Sequence, residues 1–205
     1  MVIIKTIGII LRNFEENKKY FVGVRKDLFK TLYNYDVNLI GIPIDMDFSK
    51  IKNLVLKCDG IILSGGDNYI KNDFLLLDFL YKNNIPTLGI CLGMQIMGIF
   101  FSDKLEVTIK NHCSDKKYVH YINVIDDSLL KSILGANKIL VNSRHKSAIS
   151  DTRLKIGALS EDGIIEEVED KTKKFFVGVE WHPESLNDDN SKKIFDYFIS
   201  VVNKE

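Results

Sequence analysis

The chain has 205 residues, of which 45% are hydrophobic, and its 28 basic side chains are balanced by 28 acidic ones. This length and apolar fraction predict one ordinary domain, spanning residues 1–205, with a sizeable buried core. Because the formal net charge is zero, the chain lacks the basic field that holds nucleic acid. The composition therefore argues against nucleic acid as a main partner.

The cysteines, Cys58, Cys91 and Cys113, are odd in number and lack CxxC spacing. That usage is typical of a reducing compartment rather than of a disulfide framework or a zinc site. Lys5 interrupts the apolar start, and no run reaches the roughly 18 apolar residues that a membrane helix needs. We therefore predict a cytoplasmic protein with no membrane segment, no metal and no cofactor.

The first half of the chain alternates between short apolar runs and helical periodicity. The run VIIKTIGII predicts a strand, and residues 18–35 predict a helix because apolar side chains recur there at three- and four-residue spacing. Three further strands are predicted in VNLIGIPI, DGIILSGG and IPTLGI, followed by the helical patterns FSKIKNLVLKC, DFLLLDFLYKNN and LGMQIMGIFF. Repeated βα units with continuously apolar strands predict an α/β fold with an open, mainly parallel sheet sandwiched by helices.

The second half of the chain has a different pattern. Its clear helices are DSLLKSIL and the final NSKKIFDYFISVVNK. The other segments are short strand-like runs separated by charged turns, namely KLEVTIKN, YVHYINVID, KILVNS, LKIGALSE, GIIEEVED and KFFVGVE. This pattern predicts a mixed or antiparallel extension of the same sheet, not a second domain.

The stretch GICLGMQ, at the end of the fourth predicted strand, places Cys91 between Gly89 and Gly93. A strand-to-helix turn with glycines on both sides of a nucleophile holds that residue in a strained backbone conformation and lifts its side chain out of the sheet. The turn also places Cys91 at a helix N-terminus, where free amides favour a thiolate. The amide of Leu92, and that of Gly66 at the end of a neighbouring strand, are candidate donors to an oxyanion.

A nucleophilic cysteine needs a base. His182 directly follows an apolar strand in FFVGVEWHPES, and Pro183 turns the chain so that Glu184 emerges two residues later. An imidazole held by a carboxylate in this way predicts a Cys91-His182-Glu184 triad. The alternative is a turn histidine and a cysteine that only fills space. We adopt the space-filling interpretation for Cys58 and Cys113, because a lone cysteine in apolar sequence is most often buried.

Together, GICLGMQ, ILSGGD and GVEWHPE resemble the class I glutamine amidotransferase superfamily, whose members carry such motifs in this order. The resemblance implies an α/β sandwich and a cofactor-free reaction in which a cysteine attacks a γ-glutamyl amide, forms a thioester and releases glutamate. It implies that Cys91 is the nucleophile, His182 the base and later the acid, and Glu184 the residue that orients it. It also implies residues that bind the glutamyl group, namely Gln95, Ser143, Arg144, His145, Lys146 and Ser147.

The N-terminal segment and the pattern KNHCSDKKYVHYINV are similar to the γ-glutamyl hydrolase branch of this superfamily. In that branch, His112 and His120 would line a channel for the leaving group. The alternative is a pair of surface-loop histidines. Candidate substrates are γ-glutamyl-CDP-amidate from capsule phosphoramidate synthesis, γ-glutamyl amines, polyamine conjugates and poly-γ-glutamyl compounds. Basic residues that would meet a diphosphate are Arg12, Arg25, Arg144 and Lys146.

One departure leaves the branch open, because Glu180 stands where many members of the superfamily have glutamine. The chain would act as a hydrolase on a small γ-glutamyl molecule, alone or as a homodimer. A second interpretation is a glutaminase subunit that delivers ammonia to a separate synthetase. A third is a non-catalytic homologue that binds a metabolite.

Overall fold

The computed structural model describes residues 4–102, 104 and 107–204. The helices are α1 (Lys26–Leu32), α2 (Phe48–Val55), α3 (Lys71–Lys82), α4 (Leu92–Phe100), α5 (Leu129–Leu134), α6 (Pro183–Leu186) and α7 (Asp189–Asn203). The strands are β1 (Lys5–Glu16), β2 (Lys19–Gly23), β3 (Val37–Pro43), β4 (Gly60–Leu63), β5 (Thr87–Ile90), β6 (Val107–Thr108), β7 (His120–Val124), β8 (Lys138–Val141), β9 (Ser147–Ala148), β10 (Lys155–Ser160), β11 (Ile165–Glu169) and β12 (Phe176–Val179).

The central sheet runs in the order β3-β1-β4-β5-β12-β11-β10-β7-β8. Its first five strands, from β3 to β12, are parallel to one another. The remaining pairs, from β12 to β8, are antiparallel. The predicted α/β fold is therefore confirmed, and the antiparallel extension lies in the second half of the chain as expected. Strands β6 and β9 form a separate two-stranded ribbon.

The core consists of two apolar layers on opposite faces of the sheet. Successive residues of one strand contribute to different layers, as Ile9 and Ile10 do on β1. One layer receives the apolar side chains of α1, α5, α6 and α7, and the other receives those of α2, α3 and α4. Burial on both faces explains why the parallel strands are continuously apolar in sequence.

A hairpin replaces the first half of the helix predicted for residues 18–35. Strand β1 continues to Glu16 and pairs antiparallel with β2, so the helix begins only at Lys26. Asn17 and Lys18 have φ angles of +52° and +60°, and a two-residue turn with positive φ at both positions matches the twist of a β-hairpin. The helical spacing was misleading here because Phe21 packs against Phe14 across the hairpin, with ring centroids 5.4 Å apart.

Two of the predicted strands include residues that the structure does not describe. Residues 1–3 of the first predicted strand, and Leu105 and Glu106 of the predicted strand KLEVTIKN, lie outside the described residues. In the part of that segment that is described, the strand is β6. Among the helices of the described ranges, none combines the length and the apolarity that a bilayer crossing needs.

Candidate active site

Cys91 occupies the turn between β5 and α4 with a φ of +52° and a ψ of −109°. Such a conformation costs a residue that has a Cβ roughly 1–3 kcal/mol. A Cβ on Gly89 would lie 2.9 Å from the Gly93 backbone, and a Cβ on Gly93 would overlap the carbonyl oxygen of Leu63. The close approach of α4 to β4 and β5 therefore requires both glycines, and it holds the cysteine in the strained turn.

The strand that carries His182 lies directly beside the strand that carries Cys91. The amide of Cys91 donates to the carbonyl of Val179 at 2.8 Å, so the ends of β5 and β12 are in register. His182 Nδ1 lies 2.7 Å from Glu184 Oε1, and both side chains are buried. Since a carboxylate only accepts, the ring proton is assigned to Nδ1, which leaves Nε2 free to accept a proton.

Asn142 fixes the backbone of His182 from the end of β8. Its Oδ1 accepts from the His182 amide at 2.7 Å, and its Nδ2 donates to the His182 carbonyl at 2.8 Å. The asparagine is 1% exposed, so these two bonds replace water for both groups. Sequence reasoning missed this residue. The available signal was a polar residue at the end of an apolar strand, directly before Ser143.

The glycine turn after β4 brings the third motif to the same place. A Cβ on Gly65 would lie 3.0 Å from His182 Cε1 and 3.6 Å from Cys91 Cβ. A Cβ on the next residue, Gly66, would lie 3.1 Å from Leu92 Cδ2. The three motifs that are distant in sequence therefore converge at the carboxyl ends of adjacent parallel strands, where α/β folds bind ligands.

The electrostatic surroundings of Cys91 hold it as a thiol. Burial raises the pKa of Cys91 well above its usual value, and the negative charges of Glu180, Glu184 and Glu166 raise it further. The amide of Leu92 acts in the opposite direction, because its hydrogen bond lowers the pKa of the thiol. The expected preference for a thiolate at the helix N-terminus is therefore outweighed. Cys91 is therefore a neutral thiol that lines the same cavity as His182.

A cavity of about 440 Å³ opens in front of the elbow, a volume within the range of small-molecule sites. Its inner end is formed by Cys91, His182 and the turn at Gly65 and Gly66. From there it extends to the β1–β2 hairpin, where Phe14 contributes to the wall. The basic side chains that line it are Arg12, Arg25 and Arg144, and the acidic ones are Asp67 and Glu184.

The three arginines of the cavity differ in their burial and in their hydrogen-bond and ion-pair partners. Arg12 is 4% exposed and pairs through Nη1 with Asp73, while its Nε and Nη2 are buried without a hydrogen-bond partner among the described residues. Arg144 donates from Nη1 to Ser185 Oγ at 2.8 Å. The side chain of Arg25 is 57% exposed at the cavity mouth. The basic side chains of the cavity therefore range from the buried Arg12 to the exposed Arg25, which lies 3.9 Å from Asp27.

Comparison with protein families identifies the chain. The model of the family named Peptidase C26 matches residues 69–184, a range that includes the elbow and the triad. The chain belongs to the Peptidase C26 family. A Schizosaccharomyces pombe protein provisionally named a glutamine amidotransferase is 31% identical over an alignment of 175 residues, which covers 69% of this chain and 69% of its own. A Lactococcus lactis protein provisionally named as similar to glutamine amidotransferases is 27% identical over 215 residues, covering 88% of this chain and 86% of its own. These relatives indicate a hydrolase-type enzyme.

Solved structures agree on the fold of this Peptidase C26 member. A Thermoplasma acidophilum protein provisionally named as one subunit of GMP synthase superposes with a TM-score of 0.75 at 20% identity, over 98% of this chain and 95% of that one. The glutaminase domain of Trypanosoma brucei CTPS, bound to acivicin, superposes with a TM-score of 0.70 at 17% identity, over 98% and 94% of the two chains. At such identities the likeness shows the fold alone.

The residues predicted to bind the glutamyl group lie in different surroundings. Arg144 lines the cavity with the triad, whereas Lys146 is exposed and does not line it. Ser143 Oγ donates to the His112 carbonyl at 2.5 Å. Gln95 is buried and donates to the Ser147 carbonyl at 2.9 Å and to Glu180 at 2.5 Å. His145 does not line the cavity either, and its ring contacts that of His112 instead.

His112, His120, His145 and Glu166 form a buried group, named here the histidine cluster. His112 is 4% exposed and so is His145, which excludes the surface-loop interpretation for His112. Neither His112 nor His120 is among the described residues that line the cavity, so the two histidines do not form its wall. Burial alone would lower the pKa of His145, but its hydrogen bond to Glu180 and the charges of Glu180 and Glu166 raise it to about 9.

The other two cysteines do not share one environment. Cys58 is partly buried, and burial with the neighbouring charge of Asp59 raises its pKa to about 11. Cys113 is exposed, so the expectation that it fills core space is wrong. It lies in an irregular segment that pairs with Arg144 through an isolated bridge, and this edge position turns its side chain to the surface.

Proposed function

We propose that this protein is a hydrolase that cleaves a γ-glutamyl amide bond through a Cys91 thioester and releases glutamate. The observation that carries the proposal is the meeting of Cys91, His182 and the turn at Gly65 at one end of an open cavity. Nucleophile, base and backbone donors are the parts that acyl transfer needs. Each step of the proposed reaction uses only groups of this chain, the substrate and water.

In the proposed reaction, His182 Nε2 takes the proton of the Cys91 thiol as the sulfur attacks the γ-carbonyl carbon. The negative charge that develops on the carbonyl oxygen is stabilised by the amides of Leu92 and Gly66. His182 then gives its proton to the leaving nitrogen, the C–N bond breaks and a glutamyl thioester remains. A water molecule activated by His182 attacks the thioester, which releases glutamate and restores the thiol. Glu184 holds the imidazole throughout and stabilises its cationic form.

The cavity supports a leaving group that is larger than ammonia and carries negative charge. It continues past the triad to the hairpin, and Arg12 and Arg25 lie along that extension. Guanidinium groups pair well with phosphate oxygens. The stacked rings of Phe14 and Phe21 stand on the same hairpin, and aromatic faces of this kind stack on nucleobases. We therefore favour a nucleotide-linked substrate such as γ-glutamyl-CDP-amidate over neutral γ-glutamyl amines, with Arg144 and the Ser143–Ser147 loop at the glutamyl end.

A substrate panel tests this proposal. Glutamate release is measured with glutamine, a neutral γ-glutamyl amine and γ-glutamyl-CDP-amidate, and we expect the highest kcat/KM for the last. Arg25→Gln is expected to raise KM for the nucleotide substrate about tenfold, the effect of roughly 1.4 kcal/mol from one charged hydrogen bond, and to leave the neutral amine unchanged. Lys26→Gln is the matched control, because Lys26 is an exposed neighbour outside the cavity.

The outcomes separate the proposal from its competitors. If Cys91→Ser keeps full turnover, the thioester mechanism is wrong. If Arg25→Gln affects the neutral amine as strongly as the nucleotide, the anionic leaving group is wrong although the hydrolase can stand. If no γ-glutamyl substrate is turned over and Cys91 fails to react with a γ-glutamyl chloroketone, the chain is a metabolite-binding homologue.

The second candidate is a glutaminase subunit that delivers ammonia to a separate synthetase. The names of relatives favour it, since a Dictyostelium discoideum GMP synthase, named as glutamine-hydrolysing, is 29% identical over 174 residues. The match covers 77% of this chain and 23% of that protein, and in this alternative the synthetase is a separate partner. Glutamine hydrolysis that starts only when a synthetase from the same cell is added would establish this alternative. The lone chain would then show little turnover of γ-glutamyl conjugates.

A further inference from the structure

The histidine cluster collects donor atoms from four separate parts of the chain. His120 lies on β7, Glu166 on β11, His112 in the loop before β7, and His145 in the loop after β8. Glu166 Oε1 lies 2.9 Å from His120 Nε2, 3.6 Å from His112 Nδ1 and 4.0 Å from His145 Nε2. His112 Nδ1 and His145 Nε2 are 3.3 Å apart. These atoms therefore surround one small volume, into which all four side chains point.

Several of these separations do not suit direct hydrogen bonds. Contacts of 3.6 Å and 4.0 Å are too long for a hydrogen bond. Donors bound to one zinc ion at 2.0–2.1 Å in tetrahedral geometry lie about 3.3–3.4 Å from one another. The separations of Glu166 Oε1 from His120 Nε2 and from His112 Nδ1, 2.9 Å and 3.6 Å, bracket that spacing. On the other side of the same groups, His120 Nδ1 and Glu166 Oε2 are buried without a hydrogen-bond partner among the described residues.

The far nitrogens of two imidazoles are held by carboxylates. His112 Nε2 lies 3.0 Å from Asp162 Oδ2, and His145 Nδ1 lies 3.0 Å from Glu180 Oε1. Each carboxylate accepts from the outer nitrogen of its ring, and the inner nitrogen of the same ring faces Glu166. Zinc-binding histidines usually donate their other ring proton to a carboxylate in this way, which keeps the ring tautomer and orientation fixed.

We propose that the histidine cluster is a zinc site, with His112 Nδ1, His120 Nε2 and Glu166 Oε1 as ligands and His145 beside them. Imidazole donors together with one carboxylate suit Zn²⁺ better than Mg²⁺ or Ca²⁺, which prefer oxygen ligands. This proposal revises the sequence-based expectation of no metal.

The proposed ion would fasten His112 to the antiparallel part of the sheet, and Ser143 and His145 of the Ser143–Ser147 loop donate hydrogen bonds to the His112 carbonyl. His145 is at the centre of that loop, and the adjacent Arg144 lines the cavity. The site is distinct from the triad, because neither Cys91 nor His182 supplies a donor to it. It therefore stands or fails independently of the proposed hydrolysis.

Zinc titration of the full chain tests the proposal. The protein carries Cys91→Ser and Cys113→Ser, so that neither the catalytic nor the exposed thiol binds metal. We expect one zinc per chain in competition with a chromophoric chelator, and a rise in melting temperature on loading. Co²⁺ is expected to give visible ligand-field bands without the near-ultraviolet band of a sulfur ligand.

Three variants decide the outcome. Asp162→Asn, at a carboxylate whose side chain is 59% exposed, is expected to weaken zinc binding about 10–100-fold. Glu161→Gln, at the neighbouring exposed carboxylate that pairs with Lys138, should leave it unchanged. His120→Gln should abolish binding while the metal-free protein still melts cooperatively. Absence of zinc binding in the parent, a sulfur band with Co²⁺, or equal affinities for Asp162→Asn and Glu161→Gln would each overturn the assignment.

Discussion

Replacing Glu180 by glutamine tests the electrostatic control of Cys91. The charge of Glu180 is the largest contribution after burial to the raised pKa of the Cys91 thiol. Glutamine has the same shape, and its carbonyl can still accept from Gln95 Nε2 and from His145 Nδ1, which now lie 2.5 Å and 3.0 Å from Glu180 Oε1. The substitution Glu180→Gln therefore removes a negative charge with little change in packing, and we expect the pKa of the thiol to fall.

The size of the effect can be worked out for alkylation by iodoacetamide. At a pH below the thiol pKa, each unit by which that pKa falls multiplies the thiolate fraction by ten. This corresponds to about 1.4 kcal/mol in the free energy of ionisation. The less basic thiolate is also less nucleophilic, which reduces the rate about threefold per unit for a Brønsted coefficient of roughly 0.4–0.5. The net expectation is an alkylation rate about three times higher at neutral pH for each unit of pKa removed.

The assay follows alkylation of Cys91 by mass spectrometry between pH 6 and pH 10, roughly the range in which cysteines titrate. Cys58→Ser and Cys113→Ser remove the competing thiols, and Glu161→Gln is the control for loss of a remote carboxylate. We expect the unsubstituted site to react faster as the pH rises, without a plateau near neutrality. A plateau below pH 7 would show that Cys91 already exists as a thiolate, and an unchanged rate in Glu180→Gln would show that this carboxylate does not set the pKa.

Two other side chains give predictions about stability and catalysis. Burial and then the charge of Glu169 raise the pKa of Glu167 well above its usual value, so folding keeps this group protonated. Above a pKa of about 4.3, Glu167 ionises in the unfolded chain, so the free energy of unfolding falls by about 1.4 kcal/mol per pH unit until the folded-state pKa is reached. Glu167→Gln should remove this slope in denaturant titrations at different pH. An unchanged slope would contradict the prediction. Asn142→Ala leaves the buried amide of His182 without its partner and leaves its carbonyl with the Ser185 amide alone, so we expect a loss of about 1–3 kcal/mol in the free energy of unfolding and a larger effect on kcat than on KM. Asn142→Asp, which keeps the acceptor, should recover part of the loss, and an unaltered kcat in Asn142→Ala would show that the two bonds do not position the base.

The features that were predictable from sequence depend on short stretches of chain. The elbow at Cys91 could be recognised because its glycines are needed by contacts within one strand-turn-helix unit. The same is true of His182 and Glu184, which are two residues apart and meet within one turn. The parallel half of the sheet was also predictable, since strands buried on both faces must be apolar throughout.

The features that were not predictable depend on how distant segments meet. Asn142 fixes His182 only because β8 ends near the turn that follows β12, forty residues away in sequence. The thiol state of Cys91 depends on Glu180 and Glu166, whose charges reach it through the pairing of β11 and β12. The hairpin was missed for a local reason, because the spacing of Phe21 and Leu28 fits a helix as well as a strand followed by a helix.

Strand β12 connects the parallel half of the central sheet to its antiparallel half. It pairs parallel with β5 on one side and antiparallel with β11 on the other, so every ladder contact from the first half of the sheet to the second passes through it. In the proposed mechanism, a chain released before residue 176 would have the nucleophile but neither β12 nor the base. The candidate active site is thus complete only once β12 has been synthesised, and it lies where the parallel and antiparallel halves of the sheet meet.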